Sequence, residues 1–313
     1  MGKTKMRKSA VRPELPRAIA LLLAVGVVLA VSVHGSTLTV TPGADTSLLA
    51  AFPDKNLGAN TNILVGANGS GLSGRGLIRF NLAGQIPSGA TVQSSTLSFN
   101  VVIVPSGGGV ASVFDLRRVL VDWREGLGTG NAGSPANAGE ATWNNRFHPA
   151  TPWTVPGGAV GSDFSATISA TVLVTNLGNY AFISNPNLVA DVQQWLLNPA
   201  ANFGWALVSE AESTPFTAPR IGSREDTNSS PVLTVEYTMP SPPTLFGLAL
   251  IGNQLRFSFN VESNRSCAVE FRGDLNGTNW NVLSNIPALP TNTTIHITNM
   301  VAGLERYFRV RTP

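Results

Sequence analysis

The chain of 313 residues holds a single cysteine, Cys267. No intramolecular disulfide can form, so the fold rests on burial rather than on staples. Cys267 lies in the stretch Cys267-Ala268-Val269-Glu270-Phe271, which alternates with apolar partners. That pattern reads as a small core residue, with a reactive thiol as the alternative. Histidine is limited to His34, His148 and His296, and no two are spaced as zinc ligands. A Gly-x-Ser-x-Gly nucleophile elbow is absent. His296 falls in the alternating run Thr294-Ile295-His296-Ile297-Thr298 and is expected to be exposed on a strand, whereas His148 sits in a loop. Gly107-Gly108-Gly109 joins two strand-like runs and opens no helix, so it reads as a hairpin turn rather than a phosphate cradle.

Positive charge is scarce outside the N-terminus. The whole chain has 21 basic and 18 acidic residues. Six of the basic residues, Lys3, Lys5, Lys8, Arg7, Arg12 and Arg17, precede residue 18, against one acid, Glu14. The remainder carries 15 basic and 17 acidic residues, with Lys55 its one lysine. A nucleic-acid binder needs a clustered basic face to displace counterions from phosphates. The distribution excludes that class.

The basic start is followed by an uncharged apolar run at 18–33 (AIALLLAVGVVLAVSV) and then by Val33-His34-Gly35. This is the order of a secretory signal: basic, apolar, compact cleavage site. The 16-residue run is short of the roughly 20 residues that cross a bilayer comfortably. Residues 1–35 therefore read as a cleaved signal peptide or, alternatively, as an N-terminal anchor, the one expected contact with membrane. No cysteine directly follows the run, so a lipid-modified N-terminus is not expected. The expected location is secreted, extracellular or on the cell surface.

Beyond the leader, about 280 residues remain, enough for two domains. Short β-prone runs recur between Gly, Asn, Ser and Pro turns: 76–80, 96–104 (TLSFNVVIV), 112–120, 205–209 (WALVS) and 231–237 (PVLTVEY). Many short strands of this kind predict an antiparallel β-sandwich of jelly-roll type over 36–237. One helix is expected: Asn185 caps, Pro186 opens, Leu188, Val192, Trp195 and Leu196 recur at helical spacing, and Asn198-Pro199 stops it. Trp195 reads as a core anchor. The segment 238–244 (TMPSPPT) is a semi-rigid linker. Strand-like runs at 255–259, 268–272, 280–283, 294–298 and 306–311 then predict a small fibronectin-like β-domain over 245–313.

A series of blocks adds a resemblance. It begins with Asp45-Thr46, Asn56-Leu57-Gly58, Ile63-Leu64-Val65-Gly66, Leu77-Ile78-Arg79-Phe80-Asn81-Leu82 and Ile86-Pro87-Ser88-Gly89-Ala90-Thr91-Val92. It continues through Val121-Asp122-Trp123-Arg124-Glu125, Ala141-Thr142-Trp143-Asn144-Asn145, Asp191-Val192, Gln194-Trp195 and Asn202-Phe203-Gly204-Trp205-Ala206-Leu207. It closes with Ser223-Arg224-Glu225 and Pro231-Val232-Leu233-Thr234-Val235-Glu236-Tyr237. In order and spacing the series resembles the DNRLRE-type domain, also treated as carbohydrate-binding module family 96 and related to disaggregatase-associated modules. The resemblance implies a jelly-roll module on a secreted or surface protein, with extracellular polysaccharide or cell-surface glycan as its partner. Asn81, where the family usually has an acid, and the long glycine-rich loop 126–139 depart from the pattern. The terminal unit resembles the short β-domain that ends many large secreted bacterial proteins, through Val269-Glu270-Phe271, 279–283 and 306–311.

Several clusters are candidate sites. Trp143, Asn144, Asn145, Arg146, His148 and Trp153 combine aromatic faces with amide, guanidinium and imidazole groups that suit sugar hydroxyls. Trp143 reads as core, and Trp153, between Pro152 and Thr154, as the platform most open to a sugar, or else as the cover of a core edge. Asp45, Asp54, Asn60 and Asn62 offer oxygen ligands for calcium, against an ordinary turn role. No other cofactor is expected. Asp122 and Glu125, which flank Trp123, and Glu225 and Asp226 after Arg224 read as ion-paired loop anchors rather than catalytic carboxylates. The leading expectation is a noncatalytic polysaccharide-binding protein. Alternatives are a structural or adhesive component of an extracellular matrix or surface layer, and a polysaccharide-degrading enzyme.

Overall fold

A computed structural model describes residues 35–87, 89–106, 110–239, 242–263, 265–274, 276–300 and 306–312. The leader at 1–34, the glycine turn at 107–109 and residues 240 and 241 of the proline-rich segment lie outside them.

The chain is mainly β, and its larger part is an antiparallel sandwich. The first sheet has the order Gly35–Val40, Val232–Thr238, Thr91–Ile103, Arg220–Gly222, Asn62–Leu64, with Gly178–Phe182 also paired to Thr91–Ile103. The second has the order Phe164–Val174, Ser112–Val119, Trp205–Ser209, Ser73–Arg79, Ala44–Leu49, with Gly66–Ala67 on Ser73–Arg79. Alternation in the sequence sets which side chains meet between the sheets. Leu97, Phe99, Val101, Leu233 and Val235 from the first sheet pack against Ile78, Phe114, Leu116, Trp205 and Leu207 from the second, with Phe80 just beyond its strand end. Each such burial removes apolar area from water at about 25 cal/mol per Å².

The helix runs Pro186–Leu197, and Asn185 Oδ1 caps it by accepting from Asn187 N at 2.9 Å and Leu188 N at 3.2 Å. Leu188, Val192 and Trp195 are its buried residues and join the inter-sheet core. Trp195 meets Trp205 edge-on, with centroids 4.4 Å apart. The core role expected of Trp195 is therefore the role it has.

The second sheet is buried on both faces. Ala44, Leu48, Leu77, Ala206 and Val208, on its far side, pack against Trp123, Ala141, Trp153 and Phe164. The long excursion between Ser112–Val119 and Phe164–Val174 thus folds back as a third layer. Its anchor is Asn56, fully buried, whose Nδ2 donates to the Glu125 and Ala141 carbonyls at 2.9 Å each and whose Oδ1 accepts from Gly58 N and Gly128 N at 2.9 Å. Glycine is required where the loop closes on it: a Cβ at Gly128 would stand 2.0 Å from the Asn56 carbonyl oxygen. With the second sheet covered, the outer face of the first sheet remains open.

Residues 245–311 contribute two three-stranded antiparallel sheets, Leu245–Ile251, Gln254–Val261, Thr293–Met300 and Asn281–Ile286, Cys267–Arg272, Tyr307–Arg311. They enclose a core of their own that includes Phe257, Phe259, Val269 and Cys267. Cys267 is buried and its thiol is pushed up by that burial, in keeping with a packing role. His296 is exposed on its strand.

Candidate functional site

The open sheet face is built by strict alternation. In Thr91–Ile103 the buried Leu97, Phe99 and Val101 leave Thr96, Ser98 and Asn100 facing out. In Val232–Thr238 the buried Leu233 and Val235 leave Val232, Thr234 and Glu236 outward. In Gly178–Phe182, Phe182 is buried and the Tyr180 ring stacks on Phe99 at 5.8 Å, so Asn179 and Ala181 face out. The Tyr180 hydroxyl accepts from Thr175 N and Asn176 N, which ties the preceding turn and holds this strand in place.

Beside these strands the 226–231 loop rises. Asp226 Oδ1 accepts from Asn228 N at 3.0 Å and Ser229 N at 3.2 Å and sets its shape. Loop and sheet enclose a hollow of about 490 Å³ lined by Ser98, Phe99, Asn100, Asn179, Tyr180, Ala181, Asn228, Ser229, Ser230 and Val232. None of these residues carries a charge. Asn100 Nδ2 reaches Ser229 Oγ at 3.3 Å. Among the described residues the side chains of Ser98, Asn179 and Asn228 have no hydrogen-bond partner, and Ser230 Oγ is buried without one. The set offers uncharged donors and acceptors beside the methyl groups of Ala181 and Val232. It offers no carboxylate or imidazole to move a proton.

The loop cluster read from the sequence is assembled differently from the expectation. Trp153 is 3% exposed, packs at 5.9 Å on Phe164, and donates from Nε1 to the Thr142 carbonyl at 2.9 Å. It is a core residue of the third layer and cannot serve as an exposed sugar platform. Asn144, Asn145, Arg146 and His148 are half-buried on one small hairpin. Asn144 Nδ2 donates to Asp54 Oδ1 at 2.9 Å, and Arg146 Nη1 donates to the Asp122 carbonyl at 3.1 Å while its guanidinium covers Phe147. These bonds tie the hairpin to the layer beneath. Asn145 Nδ2 reaches the Pro149 carbonyl only at 3.4 Å, and His148 Nδ1 is buried without a partner.

The four calcium candidates are each engaged by separate protein donors. Asp45 Oδ2 accepts from Arg224 N at 2.7 Å, Asp54 Oδ1 from Asn144, Asn60 Oδ1 from Gly130 N at 3.2 Å, and Asn62 Oδ1 from Arg220 Nη1 at 3.2 Å. Among the described residues no group of three or more His, Cys, Asp or Glu is arranged to hold a metal ion. These bonds give each of the four residues a structural role in holding its own loop or strand.

Asp45 belongs instead to a carboxylate knot. Arg224 grips Glu125 through Nε–Oε1 at 2.7 Å and Nη2–Oε2 at 2.9 Å, and its Nε lies 2.9 Å from Glu225 Oε1. Asp45 N also donates to Glu125 Oε1 at 2.7 Å. One arginine thus faces three acids. Burial, with the neighbouring Glu225 and Glu125 charges adding to it, pushes the Asp45 carboxyl up to about 8. Burial also raises Glu125, while the Glu125 hydrogen bond raises Arg224. The ion-paired loop role expected of Glu125 and Glu225 is the role they have, and Asp122 pairs likewise with Arg79 at 3.2 Å.

A second hollow, of about 480 Å³, is lined by Arg79, Arg124, Glu125, Glu140 and neighbours. Its charges are largely committed: Arg79 to Asp122, Glu125 to Arg224, and the buried Glu140 to Asn137 N, Asn137 Nδ2 and Leu127 N. Among the described residues the Arg124 guanidinium there has no such partner, whereas the unbonded groups of the first hollow, on Ser98, Asn179 and Asn228, are all uncharged. Compared with known protein families and with curated proteins, the chain matches none.

Proposed function

We propose that the protein is a noncatalytic polysaccharide-binding protein of the cell exterior, and that it takes a neutral glycan at the hollow on the open sheet face. The observation that carries this reading is the hollow's lining: unbonded hydroxyl and amide groups, flanking methyl groups, and no charge. A polyhydroxylated ligand is recognised by such donors and acceptors, and its C–H faces suit the apolar positions. The basic, apolar and compact order of the leader supports export, and the series of blocks that resembles the DNRLRE-type domain supports a glycan as ligand. Neither Trp153 nor calcium enters this reading.

The test is a glycan array on the full chain, with neutral and acidic polysaccharides side by side at low and high salt. Binding to neutral glycans that salt leaves unchanged is expected, with an affinity loss of about tenfold in the Ser98→Ala/Asn179→Ala variant. Binding confined to acidic glycans, and weakened by salt, would refute the neutral hollow as the site.

One observation favours a self-assembling surface component as a second reading. The strand Leu245–Ile251 (LFGLALI) is exposed along its whole length at the edge of its sheet and contributes nothing to the adjacent core. Exposed apolar edges of this kind pair with further copies unless blocked. Sedimentation of the full chain with and without Leu248→Lys separates the readings: association lost on substitution supports assembly, and a monomer in both removes it.

A further inference from the structure

The hollow is one end of a longer polar surface that carries a single charged side chain. Register places outward residues of adjacent strands directly opposite one another. Thr39 faces Thr234, and Thr234 faces Thr96, which makes a rung of three threonines across three strands. One step along, Thr37, Glu236 and Ser94 form a second rung. In the other direction Val232, Ser98 and Ala181 form a third, and Asn100 with Asn179 a fourth. The last two rungs floor the hollow. From Ser94 to Asn100 the strand rises about 3.4 Å per residue, so the four rungs span about 20 Å.

The chemistry is continuous along that length. Among the described residues the side chains of Thr37, Thr39, Thr96 and Thr234 have no hydrogen-bond partner, and all four are exposed or half-buried. The one charged side chain on the four rungs is Glu236, which accepts from Ser94 Oγ at 2.8 Å. Its negative charge disfavours an acidic chain and tolerates a neutral one. Strand neighbours stand about 4.8 Å apart, so hydroxyls recur along Ser94, Thr96 and Ser98 and across Thr39, Thr234 and Thr96. A repeating polyhydroxylated chain fits such a lattice better than a single sugar does.

We propose that the binding site continues from the hollow over the threonine rung, so that it takes the interior of an extended neutral glycan laid along the strands rather than a single terminal sugar. This rests on the reading of the hollow as a neutral-glycan site. The rung adds contacts that only a longer chain reaches.

The test is calorimetric titration of the full chain with disaccharide and hexasaccharide forms of cello-, manno- and xylo-oligosaccharides. Three proteins are compared: the wild type, Asn179→Ala in the hollow, and Thr96→Val/Thr234→Val on the rung. Valine keeps the shape and β-propensity of threonine and removes its hydroxyl, and unchanged thermal melting confirms the fold. A hexasaccharide at least tenfold tighter than its disaccharide is expected in the wild type. The rung variant is expected to abolish that gain while leaving disaccharide binding unchanged, and Asn179→Ala to weaken both lengths. Equal affinity for the two lengths, or a rung variant that binds like the wild type, would overturn the extended site and leave the hollow standing. Binding of no oligosaccharide at all would overturn both.

Discussion

The carboxylate knot makes a quantitative statement about pH. Asp45 is 1% exposed, and its carboxyl is pushed up from 3.8 to about 8, chiefly by burial. In the unfolded chain the same group titrates near its ordinary value. The folded protein therefore holds this proton more tightly than the unfolded chain does. Below about pH 4 both states are protonated and the stabilising contribution is complete. Between about pH 4 and pH 8 the folded state alone keeps the proton, and stability falls as pH rises. Above about pH 8 both states are ionised and the loss is complete. The difference of about four pH units corresponds to an upper limit of about 5 kcal/mol, with a slope of at most about 1.4 kcal/mol per pH unit. Glu125, raised by burial as well, shares Arg224 with Asp45.

Asp45→Asn isolates the effect. The amide stays neutral at every pH, and its Oδ1 can still accept from Arg224 N. Urea unfolding of the wild type and the variant, at pH steps from 5 to 9, gives the difference in stability directly. The variant is expected to gain on the wild type steadily across the window and to level off beyond pH 8. Parallel stability curves would refute the buried, proton-holding Asp45.

Three further outcomes are expected. Trp153→Ala leaves glycan binding unchanged but destabilises by about 3–5 kcal/mol in thermal unfolding, because it empties a core position. Asn56→Ala strands two carbonyls and two amide groups beneath the third layer; a cost of about 3 kcal/mol or more is expected, with proteolysis in the 126–139 loop as the readout. Glu270 is gripped by Arg309 at 2.7 Å and Arg311 at 3.0 Å, which hold its carboxyl below the usual range. Its contribution is present above that range and lost as pH falls through it, so Glu270→Gln should flatten the acid sensitivity of hydrogen exchange in Cys267–Arg272.

Much of the architecture was legible in the sequence, because alternation and capping act locally. The run 205–209 is the observed strand Trp205–Ser209, and Asn185-Pro186 sets the helix start as its side-chain chemistry requires. Trp153 was not legible, because its burial depends on long-range folding. The 120–163 stretch reads as polar, glycine- and proline-rich connection, yet it packs as a layer on the far face of a sheet, and no local periodicity announces that. The partners of the calcium candidates were illegible for a related reason. Spacing placed Asp45 near Asn60 and Asn62, but the donors that occupy these oxygens lie far along the chain, at Arg224, Gly130 and Arg220. The neutral face had a readable signal. Within 96–104, Thr96, Ser98 and Asn100 alternate with Leu97, Phe99 and Val101. What the sequence could not supply was the registration of those positions against Thr234, Asn179 and Thr39 on distant strands.

The central claim is that an uncharged hollow on the open sheet face binds neutral polysaccharide. Its most direct test is affinity electrophoresis of the full chain through gels containing a panel of soluble neutral polysaccharides, with the Ser98→Ala/Asn179→Ala variant in adjacent lanes. The expected result is retardation of the wild type in at least one neutral gel and free migration of the variant in that gel. Free migration of the wild type in every neutral gel, or equal retardation of both proteins, would contradict the claim.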